Sequence, residues 1–209
     1  MANLWPDAAD TQTLLDRARS GDADAVDQLL ARHRPALRRA VDLRLDPALA
    51  GRLDASDIVQ EAFLVASERL KSYLADGSMP FHLWLRRIAL DRMIDAHRRH
   101  RGAGRRSVDR ERRLEKRRDL GASSGELIAE LEASGLTPVA AALRREMADR
   151  VLEAMEQLPE KDRELLLMRH FEQLSNREVA RALGIGDAAC GMRYLRALRR
   201  LRDILEQSE

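Results

Sequence analysis

The chain has 209 residues, 44% of them hydrophobic and 34% charged, enough apolar material for one core or two small ones beneath heavily solvated faces. Aromatics at 3% argue against an all-β fold, and a single cysteine, Cys190, excludes an internal disulfide and fits a reducing cytoplasm. No apolar run approaches the ~20 residues of a membrane span, and MANLWPDAADTQTLL lacks the basic-then-apolar order of a secretory signal. A soluble, cytoplasmic, all-α protein is expected. The formal net charge of +2 conceals local asymmetry that matters more than the total.

Of the first dozen residues only Trp5 is expected to dock. An amphipathic helix is predicted from Thr11 or Thr13 to Ser20, where Gly21 ends it. Asp22 then caps a helix from Ala23 to about Leu45, with Val26, Leu29, Leu30, Leu37, Val41 and Leu45 inside. Pro35 predicts a kink or a break near His33. Asp46-Pro47 and Gly51 mark a connection. Asp54 or Ser56 caps DIVQEAFLVASERL, whose inner face includes Ile58, Ala62, Val65 and Ala66. Lys71–Pro80 has the composition of a loop, with Asp76-Gly77-Ser78 as its turn.

FHLWLRRIALDRMIDAHRRHR follows as a helix, turning Leu85, Ile88, Ala89, the stem of Arg92, Met93 or Ile94, and Ala96 inward. From Arg86 to Arg118 there are fourteen Arg or Lys against five Asp or Glu. Such a run is usually a solvated face. Here Phe81, His82 and Trp84 open the helix, and aromatics beside basic residues suit stacking on unpaired bases along a phosphate backbone. Residues 102–136 are charged, poor in large apolar side chains and broken by glycine and serine, as in a linker; GELIAELEASG within them is a short helix at most. Thr137-Pro138 then caps and opens the helix VAAALRREMADRVLEAMEQL, and Leu158-Pro159 leads into EKDRELLLMRHFEQ.

The last stretch, Leu174–Leu205, carries the most local information. Ser175 and Glu178 form an S-x-x-E capping box, Leu174 and Val179 a hydrophobic staple, and Gly184 stands at a left-handed C-cap with Ile185 placed to fold back. A second helix begins near Gly186 or Asp187. Its apolar stripe is Cys190, Tyr194, Leu198, Leu201 and Leu205, and Arg193, Arg196, Arg199 and Arg200 lie largely off it. Cys190 is therefore a small core residue rather than a nucleophile. This is a helix-turn-helix pattern, although a helical hairpin with a solvated charged face has the same periodicity.

Taken together, these motifs resemble the sigma-70 family of RNA polymerase sigma factors, of the compact extracytoplasmic-function (ECF) type. DIVQEAFLVASERL is similar to the family's segment that docks on the polymerase clamp helices. FHLWLRRIALDRMIDAHRRHR resembles the segment that melts and reads the minus-ten element. LPEKDRELLLMRHFEQLSNREVARALGIGDAACGMRYLRALRRLR resembles the one that reads the minus-thirty-five element, and LLDRARSGDADAVDQLLARHRPALRR extends the match. The resemblance implies two small helical domains, a region 2 bundle over 1–101 and a region 4 helix-turn-helix over 137–209, joined by a basic flexible linker over 102–136 that leaves them to move independently.

It also implies roles. Asp57, Gln60, Glu61 and Phe63 would meet core RNA polymerase. Tyr73, Phe81, His82, Trp84, Arg87, Asp91, Arg92, Arg98 and Arg99 would meet minus-ten DNA, with Trp84 either stacking on a base or lying in the core. Arg177, Asp187, Met192, Arg193, Arg196 and Arg199 would meet minus-thirty-five DNA. Core RNA polymerase and promoter DNA are the implied partners, with an anti-sigma factor as the family's common restraint. Two departures from the family pattern stand out. Asp91 replaces a usual asparagine and is expected to pair with Arg87 or Arg92. Asp187, Ala188, Ala189, Gly191 and Met192 replace base-reading donors at the head of the recognition helix, so weak discrimination resting on Arg193, Arg196 and phosphates is expected. Gly191 costs ~1 kcal/mol against alanine inside a helix, unless it admits a close backbone approach.

No enzyme chemistry, cofactor or metal is expected. His97 and His100 fall at i and i+3, but no acid or thiol completes a ligand set and the flanking arginines repel a cation. The alternative function is a stand-alone helix-turn-helix regulator, for which DIVQEAF would have no use.

Overall fold

Side-chain caps start the first three helices. The computed structural model describes residues 4–45, 53–103 and 138–207, and all regular structure among them is helical. Asp7 accepts from the Ala9 amide at 2.7 Å and begins α1, Ala8–Arg19, one turn earlier than the threonines suggested. Asp22 accepts from Ala25 at 3.1 Å and begins α2, Ala23–Asp42. Asp54 accepts from Ser56 at 2.7 Å and begins α3, Ala55–Asp76. The Pro80 carbonyl accepts from the Leu83 and Trp84 amides and opens α4, Phe81–Ala103.

α2 runs through Pro35, so of the kink or break expected near His33 the break does not occur. Pro35 and Ala31, whose carbonyl loses its usual donor, both lie on the exposed side, where solvent can reach that carbonyl. The Lys71–Pro80 loop is mostly helix: α3 continues to Asp76, and only Gly77 onward leaves it, with Gly77 at φ +56° donating to the Tyr73 carbonyl at 2.8 Å. Gly77 makes the turn its sequence signals, but the residues before it follow the helix already nucleated, since propagation is favourable once the first turn exists.

The chain divides into two compact units, Met1–Val108 and Asp109–Glu209. In the first, α2 packs on α1, α3 and α4, and α3 packs on α4. Leu29, Leu37, Ile58, Val59 and Leu85 are fully enclosed at their meeting, each such side chain contributing roughly 1.5–3 kcal/mol. Ala62, Ala66, Ala89, Met93 and Ala96 are buried as expected, whereas Ile94 is half exposed, so Met93 takes the inner position. Trp5 is buried too, its ring 5.4 Å from that of His82 and 6.4 Å from that of His33.

In the second unit, α5 (Pro138–Glu156) is followed by α6 (Glu160–Leu166), which widens into a π-helical turn over Leu167–Phe171. α7 (Asn176–Leu183) and α8 (Asp187–Gln207) complete it. Leu165, Leu166, Met168, Leu174, Val179, Cys190 and Ala197 form its core. The residues read as linker, with their short helix, fall largely outside the described residues, as do the Asp46–Gly51 connection and the Thr137 cap.

Candidate functional site

The helix-turn-helix is built by the capping logic its sequence carries. Ser175 Oγ accepts from the Glu178 amide, and the Glu178 carboxylate accepts from the Ser175 amide at 2.7 Å. Leu174 and Val179 are both buried, as a staple requires. Gly184 takes φ +65°, a conformation that costs other residues strain, and the Ile185 amide donates back to the Ala180 carbonyl at 3.0 Å. The Asn176 amide side chain donates to the Asp187 carbonyl at 3.0 Å, tying the start of α7 to the start of α8.

Which side of α8 faces outward is decided by what lies beneath it. Cys190 and Ala197 are fully buried; Tyr194, Leu198, Leu201 and Leu205 are only partly covered. Burial pushes the Cys190 thiol above its ordinary range, which keeps it protonated and inert. Arg193 and Arg200 turn toward the buried carboxylate of Asp162 on α6. Arg200 makes a short hydrogen bond to it and Arg193 Nε lies at 3.8 Å. Arg177, Asp187, Met192, Arg196 and Arg199 are exposed. Of the residues expected at upstream DNA, Arg193 alone is partly withdrawn into an internal ion pair. A Cβ added at Gly191 would meet nothing within 4 Å, so packing inside the chain does not demand the glycine.

The aromatic group at the head of α4 is a core and not an open platform. Phe81 is 3% exposed and Trp84 9%. Tyr73 packs against Trp84 with ring centroids 4.6 Å apart and planes tilted by 31°, and meets Phe81 edge-on at 5.5 Å, while its hydroxyl donates to the Met79 carbonyl at 2.9 Å. Phe81 also meets His33 edge-on at 5.0 Å. Trp84 is thereby placed in the core, and Phe81 with it; rings this enclosed leave little surface for a base. Tyr73 and His82 are partly exposed.

Further along α4, Arg87, Asp91, Arg98 and Arg99 are exposed. Arg92 pairs with Asp95 at 2.7 Å, not with Asp91 as expected; the i,i+3 spacing brings those two heads together on one side of the helix. Arg99 reaches across to Glu61 of α3 at 3.2 Å.

On α3, Asp57 and Gln60 are exposed and Glu61 is partly so, forming an acidic and amide-bearing face. Leu64 extends it by a turn and is 61% exposed. Phe63, expected on that surface, is 6% exposed and points inward, with the Arg34 guanidinium 4.7 Å over its ring. Arg34 also donates to the Gln60 side chain at 3.2 Å. Sequence reading missed Arg34, because nothing local marks a residue of α2 as a neighbour of α3. Leu64 could have been found as an apolar residue four places after Gln60 on an otherwise polar side.

Among the described residues no group of His, Cys, Asp and Glu is placed to hold a metal ion, and no helix is long and apolar enough to cross a membrane. What the geometry offers is two surfaces in the first unit, acidic on α3 and basic on α4, and a capped helix-turn-helix in the second.

Comparison with known proteins bears on both units. A family model described as Sigma-70 region 2 matches residues 29–103, and one described as Sigma-70, region 4 matches residues 148–201. The ECF RNA polymerase sigma factor SigD of Mycobacterium tuberculosis is 32% identical over 184 residues, 88% of this chain and 78% of that protein. The RNA polymerase sigma factor CnrH of Cupriavidus metallidurans is 32% identical over 207 residues, 96% of each. The solved structure of CnrH in complex with the cytosolic domain of CnrY aligns with a TM-score of 0.60 at 27% identity, covering 97% of this chain and 100% of that one. RpoE, solved with the anti-sigma factor NepR from Bartonella quintana, aligns at 0.51 and 17% identity over 86% of this chain and 96% of that one, a likeness of fold alone. With region 2 and region 4 in this order and relatives matching along most of its length, the chain belongs to the sigma-70 family of RNA polymerase sigma factors, as a member of the ECF type.

Proposed function

We propose that this chain binds core RNA polymerase, directs it to a defined set of promoters and assists strand opening, with no catalytic chemistry of its own. The observation that carries this reading is the pairing of an acidic, amide-bearing outer face on α3 with a basic face on the neighbouring α4, in the same unit that matches region 2. Asp57, Gln60, Glu61 and Leu64 are the proposed polymerase contacts, where charge sets orientation and encounter more than affinity. Arg87, Arg98 and Arg99 are the proposed phosphate contacts at the minus-ten element, with Tyr73, His82 and Asp91 nearest the opened strand. Phosphate contacts supply affinity and salt dependence, not sequence choice. Phe63, Phe81 and Trp84 act through packing, holding α3 and α4 in register. Arg92, tied to Asp95, positions its neighbours. Residues 1–101 and 137–209 form the working domains, with 102–136 setting their reach, and the protein works in the cytoplasm. A restraining partner is also proposed, since CnrH was captured with CnrY.

Two experiments test this. Retention of core polymerase on the immobilised chain at moderate salt is expected, and the double change Asp57→Arg and Glu61→Arg abolishes it while the circular dichroism spectrum stays the same. Absence of retention by the parent chain overturns the reading in favour of a stand-alone regulator. Run-off transcription with core enzyme on a genomic fragment library then yields the promoter sequence.

A further inference from the structure

α8 presents an outer face that is apolar at its centre. At 3.6 residues per turn, Ala188, Met192, Leu195 and Arg199 fall within about 60° of one another, and Arg196 lies about 40° beyond Met192. Cys190 and Ala197 occupy the opposite, buried side. Met192 is 58% exposed and Leu195 47%, and Ala188 is exposed beside them. Arg193 and Arg200 lie about 110–130° from the middle of this face and are engaged by Asp162. Arg193 and Arg200 are thus drawn aside, and Met192 and Leu195 stand on the outer face with Arg196 and Arg199 beside them.

The capped frame beneath this face, together with exposed Arg196, Arg199 and Arg177 around it, complements a phosphate-lined groove. In the major groove, the base-edge group that an apolar side chain matches is the 5-methyl of thymine. We infer that Met192 and Leu195, with Ala188, read thymines of the upstream promoter element through their methyl groups, while Arg196 and Arg199 hold the flanking phosphates. Sequence choice then comes from burying methyls, not from arginine–guanine bridges, and the weak discrimination expected from the sequence takes the form of a preference for thymine. This rests on the reading of the chain as a promoter-binding subunit.

The test uses holoenzyme assembled with core polymerase and a promoter recovered from the run-off library. Each thymine of the upstream element is replaced singly by deoxyuridine, which removes the methyl and keeps every hydrogen-bonding group. At one or two positions binding is expected to weaken about three- to fivefold, the effect of one buried methyl. Met192→Ala and Leu195→Ala are expected to lose a similar factor on thymine DNA and to bind the deoxyuridine fragment no more weakly than the thymine one. Both side chains are exposed, so the variants keep their fold. Equal binding of thymine and deoxyuridine fragments by the parent at every position overturns the inference, as do variants that lose equally on both. Variants that keep the full discrimination but lose a protein partner also overturn it and assign the face to that partner. A parent chain that supports no run-off transcription fails earlier and visibly, at the sigma reading itself, and takes the inference with it.

Discussion

Arg193 lies 3.8 Å from the carboxylate of Asp162, a side chain only 8% exposed that also accepts a hydrogen bond from Arg200. One acid on α6 thus fixes the rotation of α8 about its axis. An acid removed from water in this way stays favourable only while its cations are present. The pair therefore bears on which side of α8 is left exposed.

Replacing Asp162 with alanine is expected to destabilise the second unit by about 2 kcal/mol, the range for a hydrogen bond to a charged group. Arg200→Ala, at a side chain 55% exposed, is expected to cost less than about 1 kcal/mol. Both tryptophans, Trp5 and Trp84, lie in the first unit, so the relevant unfolding step is the one seen by circular dichroism and not by tryptophan fluorescence. An Asp162→Ala midpoint equal to the parent's would remove the ion pair from the account of this unit's stability.

Phe63 and Leu64 are adjacent in sequence and opposite in role. Phe63→Ala is expected to destabilise the first unit by ~3 kcal/mol, as for a buried aromatic. Leu64→Ala, at an exposed position, should leave stability within about 0.5 kcal/mol and weaken retention of core polymerase severalfold. Urea unfolding followed by tryptophan fluorescence, beside the pull-down, separates the two. Equal stability of the two variants would contradict the burial described for Phe63.

His33 is buried, its Nδ1 2.7 Å from the Leu29 carbonyl, and burial lowers its pKa from 6.5 to about 4. The folded state thus favours the neutral ring, while the unfolded chain takes up a proton once the pH drops below 6.5. The stability this ring contributes is complete above pH 6.5 and is lost progressively as pH falls toward 4, amounting to ~3 kcal/mol over that window. Asp22 and Asp54, held below 3.8 chiefly by the hydrogen bonds from Arg17 and from the Ser56 amide respectively, titrate beneath it. Tryptophan-detected urea unfolding at pH 7 and pH 4.5 should show the drop, and His33→Leu should flatten it. A variant with the parent's pH dependence would place the effect elsewhere.

Much of the local structure was legible because its causes are local. The capping box at Ser175, the left-handed turn at Gly184, the caps Asp22 and Asp54 and the alternation that buries Leu85, Ile88 and Ala89 each depend on residues within about one turn of one another. Helix ends were read less well: α3 outruns its expected end by a turn and a half, since a run of turn-forming letters does not stop a helix until Gly77 does.

By itself, then, the sequence determined an all-helical chain, two basic modules, a helix-turn-helix and a family whose motifs stand in order. Tertiary structure alone decided which of the nominated side chains remain available. Phe63, Phe81 and Trp84 went inside, because burying a large ring gains more than leaving it in water. Arg193 was turned toward Asp162, and Arg34 was brought over Phe63, by contacts between helices far apart in sequence. Met192 and Leu195 were left outside because the inner side of α8, carrying Cys190 and Ala197, packs on α5, α6 and α7. A residue's type can be read in isolation, but its availability depends on what the rest of the chain places against it.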